Sequence, residues 1–152
     1  MRFLEMPSKS ITSRIRFHFP YTGFSLSERS RLKLFIASLF RKEGQSFITM
    51  DYVFCSDKAL LEINKTHLQH NYYTDIITFN MAEPRQPVAG EIYISIDRVR
   101  DNAQDFDQTF RRELHRVIFH GALHLCGYKD KTPKDVRLMR KMEDKYLEAY
   151  FK

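Results

Sequence analysis

His120 and His124 stand four residues apart, and a carboxylate, Asp130, follows six residues after the second histidine. On a helix, residues four apart lie on one face, one turn above each other. Two imidazoles placed that way can grip one metal ion. Gly127 can take a left-handed conformation, end the helix and turn the chain back. Asp130 then reaches the same ion as a third ligand. Three protein ligands leave one position open, which is the arrangement of catalytic rather than structural zinc. His120, His124 and Asp130 are therefore the candidate ligands, with one Zn2+ per chain as the expected cofactor.

The stretch that carries the histidines reads as one helix from Thr109 to Cys126. Thr109 is a good N-cap, Glu113 falls in the first turn, and Gly127 stops the helix. Leu114, Val117, Ile118, Gly121 and Leu125 form an apolar stripe. Phe119, Ala122, Leu123 and Cys126 make most of the other side apolar too. A helix apolar nearly all round is a buried one. Two buried imidazoles without a partner would cost about 1–3 kcal/mol each, which a shared metal would relieve. Glu113 lies on the face of His120, two turns earlier. It reads either as an acceptor for an imidazole N–H or as a surface residue at the helix start.

The spacing resembles that of the metzincin peptidases, His-x-x-x-His-x-x-Gly-x-x-His/Asp. Those enzymes carry a glutamate directly after the first histidine as general base. Here Gly121 stands there. A glycine cannot take a proton, so peptide hydrolysis loses its base.

The run from Phe119 to Tyr128 resembles the HGxLHLxGY segment of the YbeY family. A second block agrees: Ile63 and Asn64, then Thr74 to Phe79, then Gly90 to Ser95, similar to that family's LN, PTDVLSF and GDIxIS segments. The resemblance spans about Val53 to Leu147. It implies a metal-dependent, single-strand-specific endoribonuclease of ribosomal RNA processing (maturation of the 16S rRNA 3′ end) and ribosome quality control. Its implied partners are single-stranded RNA, rRNA and the ribosome. A non-catalytic ribosome-assembly factor with a structural metal is the alternative, ahead of a zinc metallopeptidase.

Three departures from the family pattern stand out. The family usually has histidine where Asp130 stands, and no histidine follows His124. It usually carries an arginine four residues after the asparagine of LN, in the register of Leu68, which His67 and His70 flank. Glu91 stands where the family tends to have aspartate. An Arg-dependent step is thereby in question, with His70 or a lysine as possible substitutes. No residue is assigned as general acid, general base or nucleophile.

Composition agrees with this reading. A chain of 152 residues is the size of one domain. The formal charge of +6 favours polyanionic partners. Arg98, Arg100, Arg111, Arg112, Arg116, Lys129, Lys131, Lys134, Arg137, Arg140 and Lys141 lie near the candidate site in sequence. They read as an RNA-binding surface or as solvated helix faces interleaved with Asp101, Asp107, Asp135, Glu143 and Asp144. Cys55 and Cys126 give no disulfide framework and read as a sign of a reducing compartment or simply as small apolar fillers, and the expected location is the cytoplasm. No apolar run approaches a membrane span.

The positioning elements follow. Residues 1–10 read as a disordered leader, or a start upstream of Met6, and 11–152 as one domain. Strands are expected over Thr12–Phe19, Ser46–Phe54, Asp75–Asn80 and Glu91–Ile96. Helices are expected from Ser27 to about Lys42, after Ser56, after Asp97, over the histidine segment and from Thr132-Pro133 onward. The segment from Met81 to Ala89 reads as a mobile loop near the substrate. Tyr72 and Tyr73, beside His70 in an expected loop, read as base-stacking residues or as ordinary packing. The sum is an α+β domain. It has about four strands in a mixed sheet, helices on its faces and a central buried metal-binding helix.

Overall fold

β-Branched and aromatic residues alternate with polar ones along Phe47–Cys55 and Val88–Ser95, so each segment buries every second side chain. In the computed structural model, which describes residues 8–152, these two strands lie at the centre of a four-stranded sheet. The elements run α1 (Ser8–Arg14), β1 (Ile15–His18), α2 (Arg29–Lys42), β2 (Phe47–Cys55), α3 (Asp57–Leu68), β3 (Ile76–Asn80), β4 (Val88–Ser95), α4 (Ile96–Asp105), α5 (Phe110–Leu125) and α6 (Pro133–Tyr150). The sheet order is β1-β2-β4-β3. β1, β2 and β4 are parallel, while β3 and β4 form an antiparallel hairpin, so the sheet is mixed as expected.

The two faces of the sheet are unequal. Met50, Tyr52 and Phe54 of β2, with Ile92 and Ile94 of β4, point to one face and enter the main core. There they meet Ile118, Phe119 and Ala122 of α5 and the inner sides of α2 and α6. The buried Tyr52 hydroxyl donates to the Ile118 carbonyl at 3.1 Å, fixing α5 against the sheet. The opposite face carries α3 over a smaller cluster of Cys55, Leu60 and Ile77.

Close approach of α5 to the sheet depends on Gly121. A Cβ there would stand 3.0 Å from both Ile76 Cδ1 and Ile92 Cγ2. The site that peptidases fill with glutamate is here pressed onto two isoleucines, which gives a second reason against peptide hydrolysis.

Several boundaries differ from expectation. The expected strand over Thr12–Phe19 begins only at Ile15, because α1 takes the residues before it and only Ile15–His18 pair with Met50–Val53. The leader expected over residues 1–10 falls, up to residue 7, outside the described residues. Ser27 does not cap α2. The helix starts at Arg29 behind Glu28, whose backbone is left-handed and whose side chain makes no cap. Buried Leu26, whose carbonyl accepts from Arg29 Nε, sets that entry. β4 starts three residues before Glu91, since Val88 already pairs with Phe47. The caps Ser56, Thr109 and Thr132, with Pro133 in the first turn of α6, are as expected.

Candidate metal centre

α5 presents His120 and His124 one turn apart on its outer face, and the turn at Gly127, with φ of 110°, brings Asp130 back alongside. Asp130 Oδ2 lies 3.4 Å from His120 Nε2. The turn is anchored from behind: Tyr128 Oη donates to Glu43 Oε1 at 2.7 Å, and Tyr146 Oη donates to the other carboxylate oxygen. All three candidate ligands line one cavity of about 230 Å3, together with Leu68, His70 and Tyr72. The expectation that both imidazoles are buried needs correction. His120 is half-buried, but His124 and Asp130 are exposed at the mouth of the cavity.

His120 has a partner that sequence reasoning missed. Its Nδ1–H donates to Glu143 Oε2 at 2.8 Å. A carboxylate can only accept, so Nδ1 carries a proton and Nε2 is directed toward Asp130. Glu143 is buried, not part of a solvated face. The signal was its helical phase. It falls on the stripe of Met139, Tyr146, Leu147 and Tyr150, all buried on α6. Arg116, counted among surface cations, is also mostly buried. It contacts Glu143 at 3.1 Å, Asp144 at 2.9 Å and Glu113 at 3.8 Å. Glu113 is neither of the two things expected of it: it is buried, and Glu143 holds the imidazole.

The electrostatics separate the two histidines. Burial opposes the charged form of His120, but Glu143, Asp75 and Asp130 outweigh it and raise the pKa. His124 is exposed as a residue but its ring is partly shielded from water by the cavity wall, and this desolvation outweighs Asp130, so the pKa falls. His124 is therefore neutral, as a ligand must be. His124 lines the same cavity as His120 and Asp130, so its ring is available to an ion there. Behind the site, burial raises the pKa of Asp75 and of Glu113. Asp75 accepts from Asn102 Nδ2 at 3.2 Å.

The donor chemistry fits a divalent metal. Two imidazoles and a carboxylate line one cavity, and a buried acid orients the ring of His120. Among the described residues no three His, Cys, Asp or Glu side chains already converge closely enough to enclose an ion. The third arm, Asp130, is on an exposed turn. Cys126 stays out of the set. It lies with Glu43 and Tyr128 in another cavity, and burial followed by Glu43 pushes its thiol up to about 12.

Between residues 26 and 151 the chain matches the family model described as Endoribonuclease YbeY. It belongs to that family. It is 48% identical to Endoribonuclease YbeY of Cytophaga hutchinsonii over 126 residues, covering 83% of this chain and 88% of the relative. It is 43% identical to Endoribonuclease YbeY of Flavobacterium psychrophilum over 127 residues, covering 84% and 90%. The solution structure of TM1509 from Thermotoga maritima superposes with a TM-score of 0.62 at 30% identity, covering 90% of this chain and 89% of that one.

Within the YbeY frame the structure locates the departures. Leu68 lines the cavity of His120 and His124 rather than facing away, and so does His70. Glu91 lies on the opposite sheet face, where it accepts from Tyr93 Oη at 2.8 Å. The loop expected near the substrate is elsewhere too. Met81 lines a cavity with Glu91 and Tyr93, and no residue of 81–87 lines the cavity of the histidines. Among the described residues no helix is long and apolar enough to cross a membrane.

Proposed function

We propose that this chain is an endoribonuclease that cuts single-stranded RNA in the cytoplasm. Its substrate is ribosomal RNA, at the 3′ end of 16S rRNA and in ribosome quality control. His120, His124 and Asp130 hold one zinc ion. The observation that carries this reading is the pair formed by His120 and the buried Glu143, which aims Nε2 into a cavity shared with His124 and Asp130. When bound, the ion supplies a Lewis acid for the phosphodiester at the open side of the site.

The chain's own groups do the positioning. Glu143 keeps the proton on His120 Nδ1, and Arg116 neutralises Glu143 from the far side at 3.1 Å. Desolvation of its ring lowers the pKa of His124 and favours the neutral form that a ligand needs. The Glu43 clamp on Tyr128 and Tyr146 sets the turn that delivers Asp130.

The test is cleavage of a single-stranded RNA and of the matching duplex, with and without chelator, alongside metal analysis. The expected result is about one zinc per chain, cutting of the single strand, loss of cutting with chelator, and loss of both metal and cutting in His120→Ala. Cutting that persists in metal-free His120→Ala would overturn the metal assignment. A zinc-loaded protein that binds ribosomes and cuts no RNA would replace the enzyme by an assembly factor.

A further inference from the structure

The loop between α3 and β3 holds two aromatic rings in water. Tyr72 is 56% exposed and Tyr73 54% exposed. Of the two, Tyr72 lines the cavity of His120 and His124, whereas Tyr73 lies under the guanidinium of Arg98 at 5.2 Å. Tyr72 is held from two sides. Asn64, buried at the end of α3, grips the loop twice: its carbonyl accepts from His70 N at 3.1 Å, and its Nδ2 donates to the Tyr72 carbonyl at 2.8 Å. The His70 ring then stacks on the Tyr72 ring, with centroids 5.1 Å apart and planes 21° from parallel. A hydrogen bond of 3.0 Å between Tyr72 Oη and His70 Nδ1 ties the two edges together. His70 and Tyr72 line the same cavity as His120, His124 and Asp130, and Leu68 and Ile76 supply its apolar wall.

We propose that the His70–Tyr72 stack is a platform for one unpaired nucleobase. The base lies on the ring face of Tyr72 that His70 leaves open, while the adjoining phosphate reaches the His120, His124 and Asp130 site. This rests on the reading of that site as an RNA-cutting centre, and it adds the reason for single-strand specificity. A duplex keeps its base faces stacked and paired, so it cannot offer one to Tyr72. The platform reads no base edge, so it selects unpaired nucleotides without selecting sequence. Pre-ordering by Asn64 and His70 means that little loop freedom is lost on binding.

The experiment uses the metal-loaded protein and a fluorescein-labelled oligodeoxyadenylate, which carries bases but is not a ribonuclease substrate. An abasic deoxyribose-phosphate oligomer of equal length is the comparison, and cleavage of a single-stranded RNA is followed on the same samples. Wild type is expected to bind the adenylate roughly tenfold more tightly than the abasic oligomer. Tyr72→Ala should lose about that factor on the adenylate and nothing on the abasic oligomer. Tyr72→Phe should keep the preference. Equal loss on both oligomers, or unchanged adenylate binding in Tyr72→Ala, would overturn the platform while RNA cutting by wild type upholds the site. If wild type neither cuts RNA nor binds either oligomer, the reading of the site fails and takes the platform with it.

Discussion

Glu143 is the side chain on which the imidazole geometry depends. It accepts from His120 Nδ1 at 2.8 Å and contacts Arg116 at 3.1 Å. Glu143→Gln keeps the shape and one acceptor but removes the charge that makes His120 Nε2 a stronger donor. Zinc affinity, read by competition with a chromophoric chelator, should fall about 10- to 100-fold while the fold is retained. An unchanged affinity would leave Glu143 as packing only. Leu68 presents the opposite case. It is 40% exposed in the cavity of the histidines and can donate nothing to a phosphate. Leu68→Arg introduces a bidentate fork there. It should tighten single-stranded RNA binding several-fold, measured as Kd by anisotropy. No change would mean that an existing cation already fills the role. Asp130 is tested by Asp130→Asn, which keeps the turn chemistry and removes the anionic arm. Zinc affinity should drop in it as in Asp130→Ala, and equal affinity in all three proteins would exclude Asp130 as a ligand.

At the scale of elements, α5 is both the wall of the core and the bearer of the site, and its inner face limits what the outer face can be. Gly121 touches Ile76 and Ile92, so Gly121→Glu would drive a carboxylate into an apolar contact. Stability should fall by on the order of 3 kcal/mol in urea unfolding, with no peptidase activity gained. Glu113 on the same helix is buried, with Arg116 3.8 Å away. Burial raises its pKa, with Arg116 only partly offsetting. A carboxyl whose folded pKa lies above its unfolded value holds its proton more tightly when folded, so stability is lost as pH rises between the two values. Glu113→Gln should therefore stabilise the metal-free protein at neutral pH, with the gain vanishing below the unfolded pKa of about 4.3. A melting temperature that falls at neutral pH would show that the pair with Arg116 outweighs burial. These element-level facts were unevenly legible in the sequence. The caps at Ser56, Thr109 and Thr132, the stop at Gly127 and the i,i+4 histidines are local, and local hydrogen-bond rules found them. The partner of His120 comes from α6, 23 residues away, and spacing alone does not reveal it. Only the phase of Glu143 on an apolar stripe hinted at it. The start of β1 was misplaced for a related reason, since a four-residue strand is bounded by its neighbour's register rather than by its own alternation.

At the scale of the whole molecule, the net charge of +6 is not spread evenly over free cations. Many of the arginines that suggested an RNA surface are engaged in contacts within the chain. Arg98 contacts Asp57 at 2.8 Å and Arg111 contacts Glu28 at 2.8 Å. Arg100 donates to Tyr21 Oη at 2.7 Å, and Arg116 serves three acids. Lys129, Lys131 and Lys134 differ. They are exposed, form no ion pair among the described residues, and bracket Asp130 in sequence. A strand whose scissile phosphate reaches His120 and Asp130 would pass beside them, and each phosphate they neutralise releases counterions. For single strands, the slope of log K against log salt changes by about 0.7 per phosphate contact. Replacing all three by alanine should therefore flatten the slope by about 2, while the preference for base-bearing over abasic oligomers is preserved. An unchanged slope would place the phosphate path elsewhere, and the candidates would then be Arg112, Arg137 and Lys141. A flatter slope accompanied by loss of the base preference would mean instead that the lysines act by holding the turn, and zinc affinity in the same variant separates that outcome from a direct phosphate role.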